Sequence, residues 1–470
     1  MNSNQEKGAV KVELFETMPI PKAVFNLCIP AVIASLVMVL YNMADTYFVG
    51  KLNDSLQNAA VTLASPAMVA FYGITNLFGV GASSMMSRAL GRKDYDTVKR
   101  SSAFGFYMAL FFALLYSSLF IMFKEPLLTL LGANEITRDA SWDYVKWAIV
   151  CGAAPAILIN VMAQLVRSEG ASMHASIGTM SGCLLNMILD PIFILPWGLD
   201  MGAAGAGCAT FLSNCVACLY FFILHRRQKG RTYISLNIRN FGFRKAITLG
   251  IISVGIPVAI QNILNVTGMT ILNNFTAGYG PDAVAAMGIA LRLNQVVMQM
   301  AMGFGQGIMP LMSYNYSAYN TKRMKDCLYY TFRIQLVIIG LFMIVYLTQA
   351  ETMVGLFMSK PIIISYGSKL LVGLTLSIPF LCIDFTCVGM FSALGMGKYA
   401  FLFALARKIG LEIPALIILN RIWPLYGLSY AQLCAEVILS TVALIETHRI
   451  FNRLTVREEA HYLEERNHQN

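Results

Sequence analysis

Charge is scarce in this chain. Only 13% of its 470 residues are Asp, Glu, Lys or Arg, where a soluble globular domain carries about 25%. That shortage excludes a water-facing surface over most of the molecule. Strict apolar/polar alternation is missing too, which excludes an outer-membrane barrel. The first twenty residues are polar, with Glu6, Glu13 and Glu16. They hold no apolar stretch of the kind a cleaved signal peptide needs. No G-x-x-x-x-G-K-[ST] loop occurs, so no ATP-driven step is expected. His-rich metal clusters and nucleophile motifs are also missing, so neither an enzyme nor a bound cofactor is expected.

What remains is overwhelmingly apolar, with a mean hydropathy of +0.61. A bilayer's hydrocarbon layer takes about 20 apolar residues per helix. Segments of that kind read at 22–49, 59–87, 101–123, 142–166, 175–195, 203–224, 246–276, 283–312, 327–349, 363–394, 400–419 and 425–449. The expected fold is therefore an all-α integral membrane protein with twelve transmembrane helices in two pseudo-symmetric six-helix lobes. Residues 1–21 form an N-terminal tail, 22–224 the first lobe, 225–245 a basic linker, 246–449 the second lobe and 450–470 a C-terminal tail.

The halves share the order of long helix, short loop and basic turn, and they match at scattered positions. A shift of 224 residues lays Gly79, Gly81, Met85, Tyr95 and Thr97 on Gly303, Gly305, Met309, Tyr319 and Thr321. It also pairs Pro155 with Pro379, Asn160 with Asp384 and Ser168 with Ser392. Six crossings return each half to its starting side, so the repeats are parallel, and a cleft between such repeats is where transporters bind cargo.

The formal net charge of +10 is not a nucleic-acid signal, because the basic residues sit in alternate loops. Arg88, Arg92, Lys93, Lys99 and Arg100 fill one loop; Arg226, Arg227, Lys229, Arg231, Arg239, Arg244 and Lys245 fill the linker. Positive residues mark the cytoplasmic side, which places both termini there. Such loops are also drawn to anionic lipid headgroups. No obligatory protein partner is inferred.

An ionisable group in mid-bilayer costs about 2.5–3.5 kcal/mol on insertion scales, so each one asks for a reason. Asp45 falls near the outer end of the first segment and Asp190 deep in the fifth. Asn186 and Asp190 are four residues apart, hence on one helical face. Together they form either part of an oxygen cage for a hard cation or a proton site whose amide orients the acid. The plainer alternatives are a helix-end residue for Asp45 and local hydrogen bonding beside Pro191 for Asp190. Two neighbouring acids in a low-dielectric site cannot both ionise easily, which suits uptake and release of a proton or its exchange for sodium. No histidine falls well inside a span, so carboxylates must carry any protons.

The second half is built differently. Asp384 stands where the first half has Asn160, and it is the leading second-lobe candidate for cargo or cation contact. Lys408 and Glu412 are spaced to neutralise each other; Glu436 stands alone in sequence. The C-x-x-C of Cys215 and Cys218 reads as small packing residues. Gly178 and Gly182 read as a close helix contact. Pro30, Pro257, Pro155 and Pro379 mark bends or hinges. Twenty-seven methionines suit a pliant surface for flat apolar cations, with Met43 and Met269 among the candidates beside Asn160, Gln261 and Asn265.

At these positions the chain resembles the MATE (multidrug and toxic compound extrusion) transporters over nearly its whole length. The resemblance is carried by Ala44-Asp45-Thr46-Tyr47-Phe48-Val49-Gly50, Ser87-Arg88-Ala89-Leu90-Gly91-Arg92-Lys93-Asp94, Val166-Arg167-Ser168-Glu169-Gly170, Asn186 to Phe193, and Gly202-Ala203-Ala204-Gly205 through Ala209-Thr210. It implies alternating access in a bacterial cytoplasmic membrane and export of small organic cations against an inward flow of H+ or Na+. It implies a cation site of Asp45, Asn186, Asp190 and Thr210; if the ion is sodium, Asp45, Asn186 and Asp190 hold it transiently. Another branch of the family uses acids on helices seven and ten. Here Asp384 matches the second, but Asn265 stands at the first, which favours the first-lobe site. The rival reading within the superfamily is a flippase for a lipid-linked cell-wall or polysaccharide precursor.

Overall fold

The structure is a computed structural model in which residues 13–52 and 54–469 are described. Most of the expected N-terminal tail, residues 1–12, therefore lies outside the described residues. Every element among those described is helical. The twelve segments are α1 (Ile20–Gly50), α2 (Leu56–Gly91), α3 (Tyr95–Met122), α4 (Arg138–Cys151 and Ala153–Ser168), α5 (Ser172–Ile194) and α6 (Gly202–Arg227). They continue with α7 (Lys245–Ala277), α8 (Pro281–Ser317), α9 (Thr321–Thr348), α10 (Pro361–Ala393), α11 (Gly397–Leu405, Ala406–Glu412 and Ile413–Ile422) and α12 (Gly427–Gln469).

Ten of these are single helices long and apolar enough to cross a bilayer, and α4 joins them as a pair bent by 43°. That bend falls at Gly152, between a π-helical stretch, Lys146–Cys151, and Pro155. By contrast, α1 and α7 run unbroken through Pro30 and Pro257. The α11 segment contains Lys398, Arg407, Lys408, Glu412 and Arg421, so its charge is what separates it from the other spans. The last helix continues past residue 450 without a break.

The described chain falls into two compact units. One contains Ile33–Ala259; the other contains Phe15–Val32 and the chain from Ile260 onward. The start of α1 thus groups with the second unit and the start of α7 with the first.

In the first unit, α5 and α6 pack closely because glycine leaves room. A Cβ on Gly178 would run into the Phe221 ring, and one on Gly182 would lie 3.2 Å from the Ala217 Cβ. The G-x-x-x-G thus serves helix packing. The ten cysteines are all free thiols. In the second unit, Met287, Ala290, Val297 and Ala301 of α8 share a core with Leu370, Leu371, Leu374 and Ile378 of α10.

Each unit also holds down a segment that precedes a long helix. The linker before α7 docks on the first unit through Glu169 at the end of α4. Its carboxylate accepts hydrogen bonds from the Thr232 hydroxyl (2.7 Å) and the backbone N–H groups of Tyr233 (2.6 Å) and Ile234 (2.9 Å). Tyr233 stacks on Tyr95 at 4.4 Å. The Ser235 N–H donates to Ser102 Oγ at 2.9 Å, and the Tyr107 hydroxyl donates to the Leu236 carbonyl at 2.7 Å. In the second unit Arg323 donates to the carbonyls of Phe15 and Met18, both at 2.6 Å, and fixes the approach to α1.

Candidate functional site: a buried acid pair in the first unit

Four helices of the first unit converge on one polar cluster. Asp190 and Asn186 project from one face of α5 and are 0% and 2% exposed. Thr210 reaches them from α6. The Asn186 amide satisfies all its neighbours in one orientation. Its Oδ1 then accepts from the Thr210 N–H (3.0 Å) and hydroxyl (3.1 Å), while its Nδ2 donates to Asp190 Oδ2 (2.8 Å) and Oδ1 (3.2 Å). The Thr210 N–H fixes this choice, since an amide nitrogen turned toward it would set two donors against each other.

Asp45 comes in from α1 and lies within electrostatic range of Asp190. Its Oδ1 is shielded from solvent and has no hydrogen-bond partner among the described residues. A buried carboxylate oxygen left this way needs a proton or a cation to be stable. Tyr41, one turn before Asp45, and Tyr144 of α4 both lie within range of the two acids. Tyr41 also reaches the Thr210 side chain, and the Tyr144 hydroxyl contacts Met68 Sδ at 3.6 Å. These two phenols were not among the candidates read from the sequence. The spacing of Tyr41 and Asp45 at i and i+4 was the available signal for one; nothing local marks Tyr144.

The remaining candidates do not join this cluster in any described contact. Asn160 turns back on its own helix and donates to the Ala156 carbonyl at 2.9 Å. Met43 and Met269 are exposed, at 38% and 51%. Gln261 and Asn265 are half-buried on α7. Asp384, the second-lobe candidate for cargo or cation contact, has a protein partner. Asp384 is 0% exposed and ion-paired with Arg407, whose Nε lies 3.3 Å from Glu436 Oε1. Lys408 and Glu412 pair at 2.7 Å, as their spacing requires.

A bundle of long apolar helices that carries ionisable groups inside it is the architecture of a polytopic membrane transporter. Comparison with known proteins gives the family. The MatE family model matches residues 30–192 and 257–418, and the chain belongs to that family. It is 34% identical over 443 residues to the multidrug export protein MepA of Staphylococcus aureus strain N315, a match covering 94% of this chain and 96% of that one. It is 33% identical over 443 residues to MepA of Staphylococcus saprophyticus, with the same coverage. Among solved structures, an outward-facing multidrug resistance MATE family transporter of the MOP superfamily superposes with a TM-score of 0.88 at 23% identity, covering 94% of this chain and 98% of that one. A MATE structure in a bent conformation gives 0.86 at 22% identity, covering 96% and 99%.

Proposed function

We propose that this chain is a cation-coupled multidrug exporter, with protons as the coupling ion. The observation that carries the reading is the Asn186 amide. With its nitrogen turned to Asp190 and its oxygen held by Thr210, Asn186 orients an acid; it does not offer a free oxygen to sodium. A proton needs only Asp45 and Asp190. The MepA proteins named above lend the multidrug part of the reading.

The membrane is the bacterial cytoplasmic membrane, with both termini and the basic linker on the cytoplasmic side. The lobes at 22–224 and 246–449 open alternately to the two sides. Flat organic cations are the cargo, in contact with Asn160, Gln261, Asn265, Met43 and Met269 along the way. A proton arriving from outside lowers the negative charge of the acid pair and so weakens its hold on cationic cargo, which then leaves outward. One charge moved inward supplies about 2.3 kcal/mol per 100 mV. Cargo must weaken proton binding by the same factor by which protons weaken cargo binding. The acidity of the site suits cationic cargo better than an anionic lipid-linked precursor.

The test is efflux of a fluorescent organic cation from proteoliposomes under separately imposed pH and sodium gradients. A pH gradient alone should drive transport. Sodium-driven transport without a pH gradient rejects the proton, and no transport under either gradient rejects the exporter.

A further inference from the structure

The second unit buries a set of charges that do not cancel. Asp384 of α10, Arg407, Lys408 and Glu412 of the π-helical turn Ala406–Glu412, and Glu436 of α12 form one cluster. Arg407, Asp384 and Glu436 have side chains 2%, 0% and 0% exposed; Lys408 and Glu412 are 15% and 9% exposed. Both Lys408 and Glu412 lie within electrostatic range of Glu436. Fully ionised, these three acids and two bases sum to one negative charge, and an uncompensated charge at such depth is strongly disfavoured.

The partners show where the imbalance falls. Asp384 has Arg407, and Glu412 has Lys408 at 2.7 Å. Among the described residues, Glu436 is ion-paired only with the Nε of Arg407, at 3.3 Å, while the Nη2 of the same guanidinium serves Asp384. Neither Glu436 oxygen and neither Asp384 oxygen has a hydrogen-bond partner among the described residues, so what sets Asp384 apart is its direct ion contact with Arg407. The other titratable group in range of Glu436 is Cys382 of α10. On α9, Gln335 accepts from the Thr386 hydroxyl through its Oε1 at 2.8 Å, and its side chain also reaches Cys382.

We propose that this cluster is a second proton-binding site, with the proton on Glu436. It is separate from the Asp45–Asp190 pair and does not rest on that reading. The proton exchanges through the Lys408–Glu412 edge, the less buried side of the cluster. The charge count makes a specific demand: the number of protons held must follow the number of acids minus bases. Glu436→Gln removes the proton directly. Asp384→Asn also removes it, because Glu436 then ionises against Arg407. Arg407→Gln adds a second proton.

Infrared spectroscopy of the purified full-length protein at neutral pH tests this through the protonated-carboxyl stretching band. Labelling glutamate with carbon-13 should shift one such band in the wild type, and heavy water should shift it through exchange. The band should disappear in Glu436→Gln and in Asp384→Asn, strengthen in Arg407→Gln, and persist in Asp190→Asn. The absence of any glutamate-sensitive band, or a glutamate-sensitive band that survives both acid-removing variants, overturns the proposal. A band that does not shift in heavy water overturns the exchangeable site. The labelling arm needs no variant, so a misfolded mutant leaves the test intact.

Discussion

The Asn186 side chain holds both oxygens of Asp190, at 2.8 and 3.2 Å, while Thr210 holds the amide from behind. The acid is therefore pre-oriented, and Thr210 acts on it only through Asn186. Removing a buried acid and removing its orientation should then have different consequences.

Asp190→Asn should abolish pH-driven efflux while the protein stays folded in the membrane, because a neutral side chain replaces one that is costly to bury. Thr210→Val should slow efflux by roughly 2–10-fold, the equivalent of one neutral hydrogen bond of about 0.5–1.5 kcal/mol. Initial rates in proteoliposomes, normalised to protein inserted, check both. Full coupled efflux by Asp190→Asn would remove that residue from the mechanism.

Gly178→Ala should lower the melting temperature of the detergent-solubilised protein, because the new methyl meets the Phe221 ring. Overpacking of this kind costs about 1–3 kcal/mol. Adding Phe221→Leu should recover part of the loss. Additive losses in the double variant would mean the two side chains do not clash.

Glu169→Ala should release the basic linker from the first unit. The carboxylate accepts three hydrogen bonds from residues 232–234, and bonds to a charged group are worth about 1.5–3 kcal/mol each. Trypsin should then cut at Arg231 and Arg239 several-fold faster than in the wild type. Unchanged cleavage would show that the aromatic stack of Tyr95 and Tyr233 suffices.

Burial, with Tyr95 and Glu169 nearby, pushes the Tyr233 phenol up to about 12 from the usual 10. The docked linker binds the phenolic proton more tightly than the free chain does. Docking is therefore unaffected below pH 10 and weakens as pH rises from 10 toward 12. The tyrosinate absorbance gained late in the titration, toward pH 12, should fall by one phenol in Tyr233→Phe. A Tyr233→Phe curve identical to the wild type would refute the assignment.

The twelve segments were legible because apolar runs of about 20 residues have few other uses. Asn186 and Asp190 were legible for a local reason, their i, i+4 spacing within one helix. Lys408 and Glu412 share that advantage. What local pattern cannot carry is the partner across space. Arg407 meets Asp384 on α10 and Glu436 on α12, and no periodicity links the three. The linker's basic residues pointed outward to lipid, but its docking depends on Glu169, 63 residues before Thr232. In the sequence, Glu169 appears only as part of a family motif, with nothing to name its partner. Tyr144 likewise becomes a neighbour of the acids only once α4 is laid beside α1 and α5.

The π-helical turn at Ala406–Glu412 has its own implication. A wide turn of this kind accommodates one residue more than a regular helix would, and each residue of α-helix turns the chain by about 100°. Deleting a single residue there would shorten α11 by only about 1.5 Å while swinging the guanidinium of Arg407 off its axis toward the two acids. One codon thus decides whether Asp384 and Glu436 share a guanidinium or face the same interior without one.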